Sequence, residues 1–154
     1  MHRRYRPGFH EKAIRTAQFF GFLGHYLYPL EVHLLDELIS RLTPPRAKLV
    51  RAQLDTYVLY QRGGWDWTEL NMYPKNPKSA LDPKMALNVD SDDVKLALFH
   101  FRTALSSEAH HVVFHVVHGR LFCLCFGEPY RMIRFEKPIL EKVHIRREPP
   151  HPKT

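Results

Sequence analysis

Cysteine is scarce in this chain: 154 residues carry two, Cys123 and Cys125, one residue apart. A disulfide framework is excluded, and such usage fits a reducing compartment. Long apolar runs are missing as well. The longest, "FFGFLGHYLYPL" at 19–30, is broken by His25 and Pro29 and falls short of the roughly 20 residues that span a bilayer. No membrane span is expected. The start, "MHRRYRPGFHEK", has charge but no apolar stretch or small-residue cleavage site behind it, so no secretory signal is expected and a cytoplasmic location is the default. Also lacking are a glycine-rich phosphate loop, paired helical histidines with a glutamate, a nucleophile elbow and a CxxC pair. These absences remove the common routes to catalysis, and neither a catalytic residue nor a cofactor is expected.

What the chain does have is an apolar content of 44%, enough for one domain with a proper core, and an excess of positive charge, +7. The charge gathers in three places: Arg3, Arg4, Arg6, Lys12 and Arg15; Arg41, Arg46, Lys48 and Arg51; and Arg131, Arg134, Lys137, Lys142, Arg146, Arg147 and Lys153. Such clusters favour an acidic partner, whether protein or nucleic acid. Arg3, Arg4, Arg6, Arg146 and Arg147 form the candidate basic patch.

The expected organisation is a basic arm at 1–8, a single α+β domain at 9–146, and a disordered tail at 147–154. Helices occupy 9–62. Phe9, Ala13, Ala17 and Phe20 mark the first; Leu34, Leu35, Leu38 and Leu42 stripe the second; Thr43 and the prolines at 44 and 45 open a third, with Val50, Leu54, Tyr57 and Val58 following at helical spacing up to the glycines at 63 and 64. The sheet occupies 65–146 and contains about four or five strands, mainly antiparallel, with the three helices packed on one face. "WDWTELNMY" reads as its first strand, "RMIRF" and "ILEKVHI" as its last two. "VKLALFHFRTAL" fits a helical stripe as well as a strand; its aromatic centre favours the strand. The segment 74–93, with three prolines and an acidic "DSDD", is long for a connection and reads as a functional loop ending in a strand-entry turn.

"HHVVFHVVHGRLFCLCF", residues 110–126, is the most informative stretch. "HG" at 118 and 119 suits a two-residue hairpin turn. Strict alternation from that turn puts Val112, Phe114, Val116, Leu121, Cys123 and Cys125 on the core face. It leaves His111, Val113, His115, Val117, Arg120, Phe122, Leu124 and Phe126 on a mixed one. In this register neither cysteine has a histidine opposite it, with only His110 near a diagonal, so no metal site is expected. A helical reading would align His111, His115 and His118, but the valine content opposes it. The mixed face offers a candidate binding surface in His111, His115, Arg120, Phe122 and Phe126.

The succession "RAQLDTYVLYQRGGWDWTELNMYP", "VKLALFHF" and "VVFHVVHGRLFCLCFGEPYR" resembles small uncharacterised bacterial α+β proteins, with helices first and a "GRLFxLxF" hairpin last. Some proteins of that build resemble immunity or accessory proteins of toxin systems. The resemblance implies a non-catalytic module that binds a protein partner, acidic in character, through the mixed face and the 74–93 loop. Two other classes are in view. A nucleic-acid binder would use the basic termini with Tyr5, Trp65 and Trp67 as stacking groups. A metal-independent phosphodiesterase would pair His100, His111 or His115 with Arg102 or Arg120.

Overall fold

The computed structural model describes residues 23–24, 26–63, 66–76 and 78–150. The expected arm at 1–8, the first helix from residue 9, Tyr5 and Trp65 lie outside the described residues. Two helices and an antiparallel sheet follow. Helix α1 (Pro29–Arg41) opens with proline, whose missing amide costs nothing in a first turn, and Glu31 reaches back to accept from the Tyr28 amide at 2.7 Å. Its stripe of Leu30, Leu34, Leu35 and Leu38 is fully buried, and each such leucine contributes roughly 1.5–3 kcal/mol over an exposed one. Helix α2 (Pro44–Thr56) begins on two prolines and buries Val50 and Leu54.

The sheet comprises β1 (Leu23–Gly24), β2 (Tyr57–Gly63), β3 (Glu69–Pro74), β4 (Asp93–Thr103), β5 (Ser106–Val117), β6 (Arg120–Phe126) and β7 (Ile139–Ile145), in the order β1-β2-β3-β6-β5-β4-β7. Every neighbouring pair is antiparallel. Residues 57–62, expected to complete the third helix, instead lie in β2. "TYVLYQ" combines β-branched and aromatic residues, and the strand buries Tyr57 and Tyr60. "RMIRF" is a correction too. Arg131–Ile133 is a short 3₁₀ turn, tied to the 66–67 turn by the Tyr130 amide on the Trp67 carbonyl and the Arg131 amide on that of Asp66. The strand expected at 94–105 is present as β4, and His118 and Gly119 both take positive φ, 49° and 76°, as a tight hairpin turn requires.

The core fills the side of the sheet where the leucines of α1 meet Phe99, Phe101, Val112, Phe114, Val116, Leu121, Leu124 and Phe126. Within it sits a charged cluster. Arg62 donates to both Glu31 oxygens, through Nε at 3.1 Å and Nη2 at 2.5 Å, and the Tyr130 hydroxyl donates to Oε2 at 3.0 Å. Burial first, then the Glu31 carboxylate, hold the Tyr130 hydroxyl well above its usual range, so it stays a donor. This cluster locks α1 to β2 and to the turn after β6.

Candidate functional site

The other face of the sheet carries the candidate site, and one irregularity decides its membership. From the hairpin, Val117 pairs with Arg120 and Val116 with Leu121, as alternation predicts; the next pair is His115 with Cys123, leaving Phe122 as an extra, unpaired residue. This is a β-bulge. Beyond it the phase is reversed, so Phe114 pairs with Leu124, Val113 with Cys125 and Val112 with Phe126. Two expectations are corrected. Cys123 and Cys125 turn to the face that carries His115, Cys123 staying buried there and Cys125 half-buried, while Leu124 and Phe126 move into the core. Phe126 stacks on Tyr130 with ring centroids 3.9 Å apart, so it is a packing residue rather than a binding one.

The bulge keeps both faces continuous while presenting Phe122 as an additional side chain. Phe122 meets the Tyr73 ring edge-on at 5.4 Å. Together with Val117, His118 and Arg120 it forms one wall of a cleft of about 450 Å³, whose other wall is Ser79, Ala80 and Leu81. Residues 79–81 of the 74–93 loop thus border the cleft. The loop is held in place by Arg120, which donates to the Ser79 carbonyl at 3.3 Å, and by the Leu87 amide on the Gly119 carbonyl at 2.8 Å.

A residue that pattern reading passes over does most of the holding. Gln53 of α2 is fully buried; its amide donates to the Met85 and Gly119 carbonyls at 2.7 and 2.9 Å, and its oxygen accepts from the Leu121 amide at 2.8 Å. It thus clasps helix, loop and hairpin at one point. The available signal is a polar residue between Val50 and Leu54 on a stripe that is otherwise apolar.

His115 lies half-buried on the mixed face with Nδ1 3.5 Å from an Asp93 oxygen. His111 is exposed, with its ring lying across Gly127, where any β-carbon would collide with it. His100 and His111 are cross-strand partners, ring centroids 6.0 Å apart. These three histidines thus lie on two neighbouring strands. Arg102, offered as a phosphate ligand, is paired with Glu141.

The basic patch is divided. Arg3, Arg4 and Arg6 lie outside the described residues; Arg146 donates from Nη2 to both Asp90 oxygens, at 2.8 and 2.9 Å; Arg147 is exposed. Residues at the edge of the expected tail are anchored, since Glu148 pairs with Arg46 at 3.1 Å and accepts from Thr43 at 3.0 Å. Trp67 is 2% exposed and packs against Tyr28 and Tyr130, so it offers no stacking surface. The "DSDD" acids serve the strand-entry turn, with Asp92 facing His118 and Asp93 starting β4.

The remaining chemistry on this face is sulfur. Cys123 and Cys125 share a hydrogen bond, with sulfurs 3.1 Å apart. That bond, then burial, pushes the Cys123 thiol up, while the same bond lowers that of Cys125. Comparison of the chain with protein-family models, with curated proteins and with solved structures finds no match. Among the described residues no helix is long and apolar enough to cross a membrane.

Proposed function

We propose that the chain is a non-catalytic protein-interaction module, of the immunity or accessory kind, that binds an acidic segment of another protein in the cleft between the 79–81 loop and the hairpin. The observation that carries this reading is the cleft itself. Its lining combines apolar Val117, Phe122 and Leu81 with the cation Arg120 and the imidazole His118. A volume near 450 Å³ falls within the range of small ligand pockets and suits one or two side chains of an extended segment. Aromatic residues, phenylalanine included, and arginine are enriched at protein interfaces. The bulge supports the same reading, because it adds Phe122 to this surface without disturbing the core face, and bulges commonly re-aim a side chain at a working site.

The test is affinity capture by the full chain at moderate salt, with and without nuclease, run beside the Phe122→Ala and Arg120→Ala variants. A nuclease-resistant protein that both variants lose is the expected result. The same protein retained by both variants removes the cleft from consideration. Material that vanishes with nuclease transfers the function to nucleic-acid binding, for which steep salt dependence is the further sign.

A further inference from the structure

We propose that Cys123, Cys125 and Glu69 form a zinc-binding site on the mixed face of the sheet. The inference is independent of the cleft, which none of the three residues lines. Their ligand atoms all lie within 4.8 Å of one another, the single such group among the described residues. Tetrahedral zinc with ligands at about 2.0–2.3 Å holds them about 3.3–3.8 Å apart, so the longest of the present spacings, up to 4.8 Å, must close by about 1 Å for all three to reach one ion, a movement within reach of the glutamate side chain.

The placement follows from the backbone. Residues i and i+2 of a strand share a face, which aligns Cys123 with Cys125, and the register pairs Glu69 of β3 directly with Cys125. The Phe122 bulge is what turns both sulfurs to the side occupied by Glu69. The carboxylate is itself positioned. Asn71 donates to its Oε1 at 3.3 Å, and its chain lies over Gly63, the cross-strand partner, where an added β-carbon would sit 2.5 Å from that oxygen.

Tetrahedral zinc with Zn–S near 2.3 Å holds its sulfurs about 3.8 Å apart. The present 3.1 Å must therefore open by about 0.7 Å, within reach of small side-chain rotations. Two thiolates and a carboxylate suit a borderline-soft divalent ion better than calcium or magnesium, which take oxygen ligands. Binding replaces the two S–H protons, which leave to solvent, and three protein ligands leave a fourth position for water.

The reduced full chain is titrated first with Co²⁺, whose thiolate complexes absorb through sulfur-to-metal charge transfer, and then with Zn²⁺ in competition with a chromophoric chelator. One equivalent with a thiolate band that zinc abolishes is the expected result. Cys125→Ser, at the more accessible sulfur, and Glu69→Gln should each weaken zinc binding by at least about 100-fold, the upper end of the loss seen for mere outer-shell partners. Gly63→Ala, which removes no ligand but displaces the carboxylate, should weaken it about 10-fold. Absence of the band in the unaltered chain overturns the proposal without reliance on any variant. So does zinc affinity unchanged in folded Cys125→Ser, because Cys125 would then be no ligand of the bound ion.

Discussion

A glutamate lies on either side of the sheet, Glu31 on α1 and Glu69 on β3, and the two are treated in opposite ways. Glu31, on the core side, is fully buried and receives donors from the Tyr28 amide, the Arg62 guanidinium and the Tyr130 hydroxyl. Glu69, on the mixed side, is half-buried, accepts from Asn71 and otherwise faces two thiols. A carboxylate whose lone pairs are all engaged is a structural part. One with capacity to spare beside soft ligands is free to take a ligand.

The comparison is broken most directly by deleting each carboxylate. Glu31→Ala leaves Arg62 charged and unpaired beneath α1, and loss of one partner of a buried pair costs about 3–5 kcal/mol. Glu69→Ala, at a half-open position, should cost no more than about 1 kcal/mol. Urea unfolding followed by circular dichroism measures both, and equal costs would dissolve the distinction. Replacing Glu31 and Arg62 together by apolar residues of similar volume should recover much of the loss, since the penalty lies in the stranded charge.

Gln53→Ala comes next. It removes three hydrogen bonds at once and leaves the Leu121 amide without its buried acceptor, at a cost of about 1–3 kcal/mol. Hydrogen exchange should locate the loosening in 83–89 and the hairpin turn, with β7 unaffected. Uniform loss of protection would mean that Gln53 supports the whole fold rather than the cleft. Phe122→Ala is smaller again, within about 1 kcal/mol in stability, because the bulge residue has no partner on β5 and stands outside the core. A large destabilisation there would make Phe122 a packing residue and undercut the cleft.

Where polar and apolar residues alternate, the architecture is legible in the sequence. Val94, Phe99 and Phe101 face the core, Lys95 and His100 the other side, and β4 could be read as a strand from its aromatic centre despite its helical stripe. The hairpin turn could be read from "HG". The phase of β6 could not, because Leu121 to Phe126 are apolar without exception, and a run with no polar residue fits either register equally well. That single ambiguity moved both cysteines and Phe126 to the opposite face. The end of α2 was obscured for a related reason: Tyr57 and Val58 continue the helical spacing of Val50 and Leu54, so spacing alone did not mark the change to strand. Glu69 carried no local signal at all. Its role depends on β3 lying beside β6, a long-range pairing that sequence periodicity does not encode.

The smallest effect concerns a third carboxylate, at the solvent surface. Asp90 accepts from Arg146 Nη2 on both oxygens in the open, and the hydrogen bond from Arg146 holds its carboxyl below the usual range. A carboxyl lowered in the folded state contributes stability that is present above its unfolded value, about 3.9, and is lost as pH falls through the folded value. Asp90→Asn should therefore leave the chain slightly less stable at neutral pH and make its stability fall less steeply under acid. Solvent screening keeps the effect small, and raised salt should shrink it further, whereas salt should leave the Glu31→Ala penalty nearly unchanged. Urea midpoints taken from neutral pH down to about 3 at two salt concentrations separate the cases. An acid slope identical in Asp90→Asn and the unaltered chain would show Arg146 to be unengaged, returning it to the basic patch as a free cation.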